Sequence, residues 1–395
     1  MPKQAFDVFR NISVFYSGTF AFMAGIITVL LMDKGLDLAH VGMYFALYSA
    51  GCVLLEIPTG AFADAYGRKK SILLSFFFQI VFILGFIVFP NGALFVGFAL
   101  VASLADSLLS GAAEAYAVDI LVKRGKTDYT HSLLSSAKGW QSLTFLIGAI
   151  VGGYVADISP IYPLLLCMLF ASAGFLYSIF YLKSDAPKKD FAKKESEIFA
   201  KMKEAAHHVQ ENPSLRMICI MTLLVGFGTS GLFMYWQPMV KEIAGFDNAA
   251  LGMMFSAISV TILIASRVSP RLKPNWATVG FLMVGLFAFL LAASWVLWPV
   301  ALIAAILIWE FIWGMYQPIE GSITNQNSPS EFRATIISIR TLLFRVGWVV
   351  LGVVLFFFGA NEPRLYWVAG ALCFLTAAVL AFAHSRKEKV AAQGS

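Results

Sequence analysis

Apolar runs long enough to cross a membrane recur along almost the whole of this 395-residue chain, and they constrain its fold more than any other feature. A transmembrane helix needs about 20 consecutive apolar residues, and runs of that length follow one another here with only short breaks. Charged residues make up 13% of the chain, whereas a soluble domain is about 25% charged. The sequence therefore predicts an all-α membrane protein without a sizeable soluble domain.

Twelve apolar runs predict twelve transmembrane helices, six in each half of the chain. The predicted spans are residues 10–32, 38–63, 71–90, 92–121, 132–156, 160–183, 214–240, 248–268, 276–296, 298–320, 333–359 and 363–384. Residues 1–183 and 214–385 would form two pseudo-symmetric six-helix bundles, followed by a cytoplasmic tail at 386–395. Such parallel repeats place a substrate site near the bilayer midplane, between the halves. This organisation indicates transport of a small-molecule substrate.

Basic residues lie mainly in alternate loops, and this predicts the orientation of the chain. One side receives both termini and Arg68, Lys69, Lys70, Lys123, Arg124, Lys126, Arg267, Arg271, Lys273 and Arg333. Because Lys and Arg are enriched in cytoplasmic loops, both termini are expected in the cytoplasm and the chain in the plasma (inner) membrane. We expect a monomer whose partners are its substrate and the lipid bilayer, and no nucleic acid.

Residues 184–213 are the only long charged segment and are predicted to be a cytoplasmic linker between the halves. Within it, Ile198, Phe199 and Met202 recur at helical spacing. Part of the linker is therefore expected to form an amphipathic helix along the inner membrane face.

The most specific local pattern lies between the second and third predicted spans, where the chain reads GAFADAYGRK from Gly60 to Lys69. Gly60 lacks a side chain, so another helix could approach closely there, and Gly67 permits the positive φ of a tight turn. The Asp64 carboxylate at a membrane boundary needs a partner, and the forked guanidinium of Arg68 suits a carboxylate. These residues predict a structured loop with ionic contacts.

This loop resembles the signature G-x-x-x-D-x-x-G-R-K of the major facilitator superfamily. The matching positions are Gly60, Asp64, Gly67, Arg68 and Lys69. The resemblance extends to the helix count, the two halves and the position of the linker. It implies the fold of that superfamily, with two six-helix bundles that alternate access to a central site.

The resemblance also implies a cytoplasmic gate built from this loop. In the family, the arginine contacts an acid at the end of span four, and the aspartate contacts the cytoplasmic end of span eleven. These positions correspond to Asp119 as the partner of Arg68, and to Arg340, or secondarily Arg333, as the partner of Asp64.

Acidic residues inside the predicted spans are the candidates for proton coupling. Span four carries one polar stripe at i, i+3, i+7 and i+11, formed by Ser103, Asp106, Ser110 and Glu114. A carboxylate in a partly dry cavity can take up and release a proton in the physiological range. Glu114 is the first candidate, followed by Asp106, Glu310 and Glu56. Alternatively, Glu310 forms a fixed ion pair with Arg345, which lies at a similar depth on span eleven.

Spans one, four, seven and ten line the central cavity in the resembled fold. Their polar and aromatic residues, with neighbours on spans five and eleven, are candidates for substrate contact. They are Tyr16, Phe20, Ser110, Gln141, Tyr235, Gln237, Trp309, Trp313, Gln317 and Arg345. Aromatic side chains around a few polar groups suit an amphiphilic organic molecule, although packing alone would also account for the aromatics.

The direction of transport is predicted from span five and from the acids of span four. Residues 148–153 (GAIVGG) are similar to the G-P-x-x-G-G element of the superfamily's proton antiporters, with Ala149 in place of the proline. Close helix packing through Gly148 and Gly152 is the alternative account. We expect a proton-coupled exporter of small, drug-like compounds that needs a proton gradient and no cofactor. The alternative is an importer or facilitator of a nutrient such as a sugar, organic acid or siderophore.

An enzyme is not expected, because HExxH, GxSxG and a complete P-loop are all missing from the sequence. Its four cysteines are far apart within apolar runs and have no metal-site or redox spacing. No metal site is therefore expected.

Overall fold

The computed structural model describes residues 3–89, 95–184, 191–359 and 362–393, and these ranges are helical with no β-strand. The α-helices described there are α1 (Lys3–Ala24), α2 (Ile27–Asp33), α3 (Leu38–Tyr66), α4 (Arg68–Val88), α5 (Phe98–Leu109), α6 (Ala112–Val122), α7 (Thr130–Ile158), α8 (Ile161–Tyr181), α9 (Phe191–Glu211), α10 (Pro213–Ala244), α11 (Asn248–Val268), α12 (Trp276–Trp295), α13 (Pro299–Asn327), α14 (Arg333–Phe358) and α15 (Pro363–Gln393). Short 3-10 helices occupy Thr127–Tyr129 and Ser269–Arg271.

The number of membrane-spanning helices agrees with the prediction. Eleven are long and apolar enough in the described ranges, and the bent pair α1 and α2 makes a twelfth if counted as one span. The two helices of this pair meet at an angle of 60°. The bend lies at Gly25, where an added Cβ would come within 3.0 Å of the Cα of Gly252. The first span is therefore a broken helix, and its bend lies where the backbones at Gly25 and Gly252 pack closely.

The fourth span is interrupted for two residues, although a continuous helix was predicted for residues 92–121. Its described part consists of α5 and α6, which are separated by Ser110 and Gly111. Gly111 has φ = +72°, a conformation that glycine adopts without steric cost. The predicted start at residue 92 lies outside the described residues.

Contacts between Cα atoms divide the chain into two compact units. Unit 1 comprises Met1–Leu36, Leu47–Phe199 and Phe246–Ser256, and within it α1 packs against α7 and α8. Unit 2 comprises Asp37–Ala46, Ala200–Gly245 and Ala257–Ser395, and within it α10 packs against α14 and α15. Each unit therefore has its own helical core.

A similar turn precedes the second span of each half. The Asp37 side chain accepts a hydrogen bond of 2.8 Å from the backbone N–H of His40, and Asp247 accepts one of 2.7 Å from Ala250. The glycine two residues before each aspartate has a positive φ, +84° and +68° respectively. Both aspartates therefore cap the N-terminus of the following helix. This repeated Gly-x-Asp turn relates the two halves locally.

Helix α9 occupies most of the predicted linker, so the expected linker helix is confirmed. Ala205 and Val209 on it are buried. The His208 ring lies 4.6 Å, centroid to centroid, from that of Phe332 in the same unit. The location of α9 at the membrane surface stays a prediction.

Candidate functional site

The carboxylate of Asp106 lies within unit 1 between two tyrosine hydroxyls. Tyr16 on α1 donates a hydrogen bond of 2.7 Å to Oδ1, and Tyr48 on α3 donates one of 3.0 Å to Oδ2. The Cys52 thiol, one turn after Tyr48, is 3.8 Å from Oδ2. Two of the predicted residues, Tyr16 and Asp106, thus belong to one site. Sequence reasoning missed Tyr48 and Cys52, because nothing in the pattern of α3 separates them from packing residues.

Hydroxyl groups from neighbouring helices hold the end of α5 around Asp106. The last carbonyls of a helix have no partner within it, and the break after α5 creates such an end inside the span. Two side chains donate to carbonyls of this last turn, Thr59 to Ser107 (3.0 Å) and Ser71 to Leu108 (2.5 Å), and Ser75 donates to the preceding Ala105 (2.7 Å). The interruption of the fourth span is therefore a supported feature, and it fixes the backbone on both sides of Asp106.

Glu114, the first coupling candidate from the sequence, lies in the first turn of α6 and is exposed. Ser110 is exposed as well, whereas Ser103 is buried and Asp106 is partly buried. The interruption at Ser110 and Gly111 places the two carboxylates on separate helical segments of one span. Asp106 is the more buried of the two, and the coupling role of Glu114 stays a prediction.

Arg68 forms the ionic contacts predicted for the loop between α3 and α4. Its Nη1 contacts the carboxylate of Asp119 on α6 and donates a hydrogen bond of 2.6 Å to the carbonyl of Ala115. Its Nη2 lies 4.0 Å from Oδ1 of Asp64. The predicted contact between Arg68 and Asp119 is confirmed. These contacts tie the start of α4 to α6 within unit 1.

The other signature residues also have clear local environments. The Lys69 ammonium donates to the carbonyls of Ile179 and Leu182 at 2.9 and 2.6 Å, at the C-terminal end of α8. A cation is favourable at that end of a helix. Gly67 has φ = +100°, so the predicted turn is confirmed. The expected close approach of another helix at Gly60 is not found in the described part of the chain, where an added Cβ would meet no atom within 4 Å.

Arg340 forms an ion pair that sequence reasoning did not foresee. Its Nη1 contacts Oε2 of Glu320 on α13, and Thr222 on α10 lies 3.4 Å from the other carboxylate oxygen. The side chains of Arg340 and Glu320 are 24% and 11% exposed. Glu320 was missed because it fell at the predicted end of span ten. The pairing of Arg340 with Asp64 stays a prediction.

Glu310 on α13 is partly buried and forms no hydrogen bond or ion pair with any described residue. The alternative of a fixed pair with Arg345 is therefore not realised in the described part of the chain. Glu56, the remaining coupling candidate, is partly buried on α3. Its role stays a prediction.

Several of the candidates for substrate contact are buried or pack against other side chains of the protein. Tyr235 is fully buried and its hydroxyl donates a hydrogen bond of 3.0 Å to the carbonyl of Leu38. Gln237 is buried, while Gln317 is exposed. Phe20 makes an edge contact with Phe145 at 6.4 Å. Gln141 on α7 is partly buried.

Aromatic rings of α13 and α14 form a connected, partly buried group in unit 2, called here the aromatic surface. Trp309 stacks on Trp313 at 5.9 Å, and Trp313 stacks on Phe344 at 6.2 Å. Phe344 in turn contacts Trp348 at 6.2 Å. The indole nitrogens of Trp309 and Trp348 are buried and have no hydrogen-bond partner among the described residues. Only the partly exposed rings, such as Trp313 and Phe344, are accessible.

The glycines of residues 148–153 bring helices together, as the packing account expects. An added Cβ on Gly148 would lie 2.6 Å from the Cβ of Ala21, and one on Gly152 would lie 1.8 Å from the carbonyl oxygen of Phe22. The backbones of α7 and α1 therefore touch at these positions. Packing is sufficient to account for these glycines, and their similarity to the antiporter element stays a prediction.

No cluster of three or more His, Cys, Asp or Glu side chains that could hold a metal occurs in the described ranges. The contacts described in these units include carboxylates, hydroxyls and ion pairs between spans. Such groups suit the binding of a solute and a proton inside a membrane. The class of protein defined by this arrangement is a multi-pass secondary transporter.

Comparison with known proteins confirms this class and the predicted fold. The profile of the Major Facilitator Superfamily matches residues 11–352. The chain belongs to this superfamily, whose members are transporters and not enzymes.

Several known transporters are similar to this chain in sequence or in structure. The chain is 25% identical over 358 residues to the MFS-type transporter YxaM of Bacillus subtilis, covering 88% of each chain. It is 22% identical over 372 residues to the class H tetracycline resistance protein of Pasteurella multocida, covering 88% of this chain and 87% of that protein. The crystal structure of a single-residue mutant of the nucleoside transporter NupG superposes with a TM-score of 0.77 at 13% identity, covering 96% of this chain and 99% of that chain.

Proposed function

We propose that this chain exports small amphiphilic organic compounds across the plasma membrane in exchange for protons. Asp106 is the residue that binds the coupling proton. The contact of its carboxylate with the hydroxyls of Tyr16 and Tyr48 is the observation that supports this most. Driving force is adequate, since each charge that moves inward is worth about 2.3 kcal/mol per 100 mV.

The two tyrosines suit a carboxylate that changes its protonation state. An ionised carboxylate only accepts hydrogen bonds, whereas a carboxylic acid also has one O–H to donate. A tyrosine hydroxyl can donate and accept, so Tyr16 and Tyr48 can satisfy Asp106 in both states. The site therefore tolerates loading and release of a proton without leaving a buried polar group unsatisfied.

The break in the fourth span lies next to this carboxylate. Asp106 precedes Ser110 by four residues, or about 6 Å of helix rise. Transporters place ion and substrate sites at discontinuous helices, where two short segments can move separately. A change of hydrogen bonding at Asp106 would be transmitted to α6, and from there to Asp119 and Arg68. Proton binding and the loop motif are linked through one helix pair.

Two relatives that are named tetracycline resistance proteins support export. Besides the class H protein, the class B tetracycline resistance protein of Escherichia coli is 24% identical over 292 residues. The aromatic surface of unit 2 includes the partly exposed rings of Trp313 and Phe344, which suit stacking with a planar solute. Glu310, close to that surface in sequence, is a second candidate to bind a proton or a cationic solute.

Import is the second candidate function, because solved structures with the same fold are named for other kinds of solute. They include a nucleoside transporter and a peptide transporter, the latter with a TM-score of 0.74 at 13% identity. In that case the same carboxylates would bind protons that enter together with the solute. Structural likeness at this identity concerns the fold, so direction has to be measured.

A transport assay in inside-out membrane vesicles distinguishes the two directions. Tetracycline and uridine serve as probes, and the vesicle lumen is acidified by respiration. Export predicts that vesicles with the wild-type chain accumulate tetracycline and lose part of their pH gradient when it is added. Asp106→Asn should abolish both effects, whereas Asp128→Asn, a change in the exposed 3-10 helix, should leave them intact.

Uptake of uridine by intact cells, without tetracycline accumulation in vesicles, would overturn the export proposal and support import. Equal accumulation by the wild type and Asp106→Asn would retain export but remove the carboxylate from the coupling role.

A further inference from the structure

A groove of about 350 Å³ lies within unit 1 between α1, α7 and α8. One end is polar and contains Arg10 and Asn11. The remaining wall is apolar and includes Val14, Phe15, Phe22, Leu143, Ile147 and Phe170. The volume lies in the range of ligand-binding pockets. We call this feature the α1–α7 groove.

The guanidinium of Arg10 lies at the polar end of the groove and has hydrogen-bonding capacity left for a ligand. Its Nη1 lies 3.2 Å from the Asp7 carboxylate, and its Nε donates a hydrogen bond of 3.1 Å to Asn11. The guanidinium lies over the ring of Trp140, 5.9 Å from the centroid. No described residue accepts a hydrogen bond from Nη2. This group can therefore bind an anionic oxygen without giving up its existing contacts.

The length of the α1–α7 groove matches one leaflet of a bilayer. From Arg10 to Phe22, α1 rises about 18 Å, whereas half of the hydrocarbon core is about 15 Å deep. On the opposite wall Leu143 and Ile147 are 44% and 50% exposed, so the described part of the chain leaves about half of each side chain uncovered. The exposed ring of Trp140 marks the polar end, as tryptophan does at membrane interfaces. An occupant with an acyl chain and a polar head would fit this wall.

We propose that the α1–α7 groove binds an anionic phospholipid, with its phosphate at Arg10 and one acyl chain along the apolar wall. An anionic lipid is preferred because its head group carries no ammonium to compete with Arg10 for the phosphate. Asp7 acts against the phosphate by like-charge repulsion, which keeps the site exchangeable. This site is separate from Asp106, and the proposal stands whether the chain exports or imports its solute.

Native mass spectrometry of the purified full-length chain tests the proposal, with dioleoyl-phosphatidylglycerol and dioleoyl-phosphatidylcholine as probes. The wild type should bind the first lipid more tightly. Arg10→Gln should weaken its binding about fivefold, since one basic side chain near a lipid phosphate contributes on that order. Asp7→Asn should strengthen it. Lys126→Gln is the matched control, because Lys126 also lies over an aromatic ring, that of Tyr129, outside the groove.

Ile147→Trp, which narrows the α1–α7 groove with a larger side chain, should weaken the binding of both phospholipids. Unchanged preference for phosphatidylglycerol in folded Arg10→Gln would overturn the proposal, as would equal binding of the two lipids to the wild type. Sodium oleate tests a soluble amphiphile. Arg10-dependent binding of oleate without phospholipid binding would replace the lipid with such a ligand.

Discussion

The hydroxyl of Tyr16 donates a hydrogen bond of 2.7 Å to Oδ1 of Asp106, across the interface of α1 and α5. The residues are 90 positions apart in the chain. Because Tyr48 approaches the other oxygen, both ends of the carboxylate are engaged by neutral hydroxyls. An acid held in this way is oriented in either protonation state. Asp106 is therefore the centre of the proposed proton coupling.

The loop motif depends on the fork of Arg68. Arg68→Lys should reduce turnover at least tenfold, because a lysine cannot contact Asp119 and the Ala115 carbonyl with the same planar group. Binding of the solute should change less than turnover, since the contacts lie in the loop region and not at Asp106. Tetracycline transport and equilibrium binding measured on the same preparations check this. Lys70→Arg, at an exposed position beside it, is the control, and equal losses in both variants would contradict the account.

The pair of Glu320 and Arg340 should be strongly coupled energetically. Removing one partner of a buried ion pair leaves an uncompensated charge and costs about 3–5 kcal/mol. Glu320→Gln and Arg340→Gln should therefore each lower the thermal unfolding midpoint, and the double variant should lower it less than the two effects combined. A double-mutant cycle on detergent-purified protein measures this. Additive losses would show that the contact contributes little.

Gly152 should not accept any side chain. Its added Cβ would lie 1.8 Å from the Phe22 carbonyl oxygen, so α7 and α1 would have to separate. Overpacking of this kind costs about 1–3 kcal/mol, and Gly152→Ala should unfold at a lower temperature. Gly139→Ala on the same helix is the control, because its Cβ would meet no atom within 4 Å. That variant should match the wild type or exceed its stability.

Asp37 should stabilise the start of α3 in a pH-dependent manner. The backbone N–H of His40 donates to its carboxylate and holds the pKa of Asp37 below its ordinary value. A lowered pKa in the folded state stabilises the fold above the ordinary pKa, and this contribution is lost as the pH falls through the lowered value. Asp37→Ala should therefore cost about 1 kcal/mol near pH 7 and progressively less below pH ~4.

Asp247→Ala provides the internal comparison, since it removes the equivalent cap of α11. Unfolding midpoints of both variants, measured near pH 7 and below pH ~4, test this prediction. An unchanged midpoint for both variants near pH 7 would contradict the capping role.

The sequence was sufficient for the fold because the spans carry a strong, local signal. About 20 apolar residues define a span without knowledge of its neighbours. The contact of Arg68 with Asp119 could also be predicted, since the loop motif is short and specific. These features depend on residue type and spacing alone.

The missed features depend on contacts between distant segments. Hydropathy alone does not show the interruption at Ser110 and Gly111, or that Glu114 is exposed while Asp106 on the same predicted stripe is partly buried. Glu320 lay at a predicted helix end, and its partner is 20 positions away on the next span. Tyr48 looked like any other aromatic residue of a membrane helix. Three-dimensional packing decides which of these side chains meet.

The most direct test of the central claim measures proton movement in proteoliposomes loaded with a pH-sensitive dye. A pH gradient is imposed and tetracycline is supplied as the solute. The account predicts that the wild-type chain moves protons when tetracycline is added, and that Asp106→Asn binds tetracycline but moves no protons. Tyr16→Phe should retain proton movement at a reduced rate, because Tyr48 still contacts the carboxylate. Proton movement by Asp106→Asn at the wild-type rate would contradict the account.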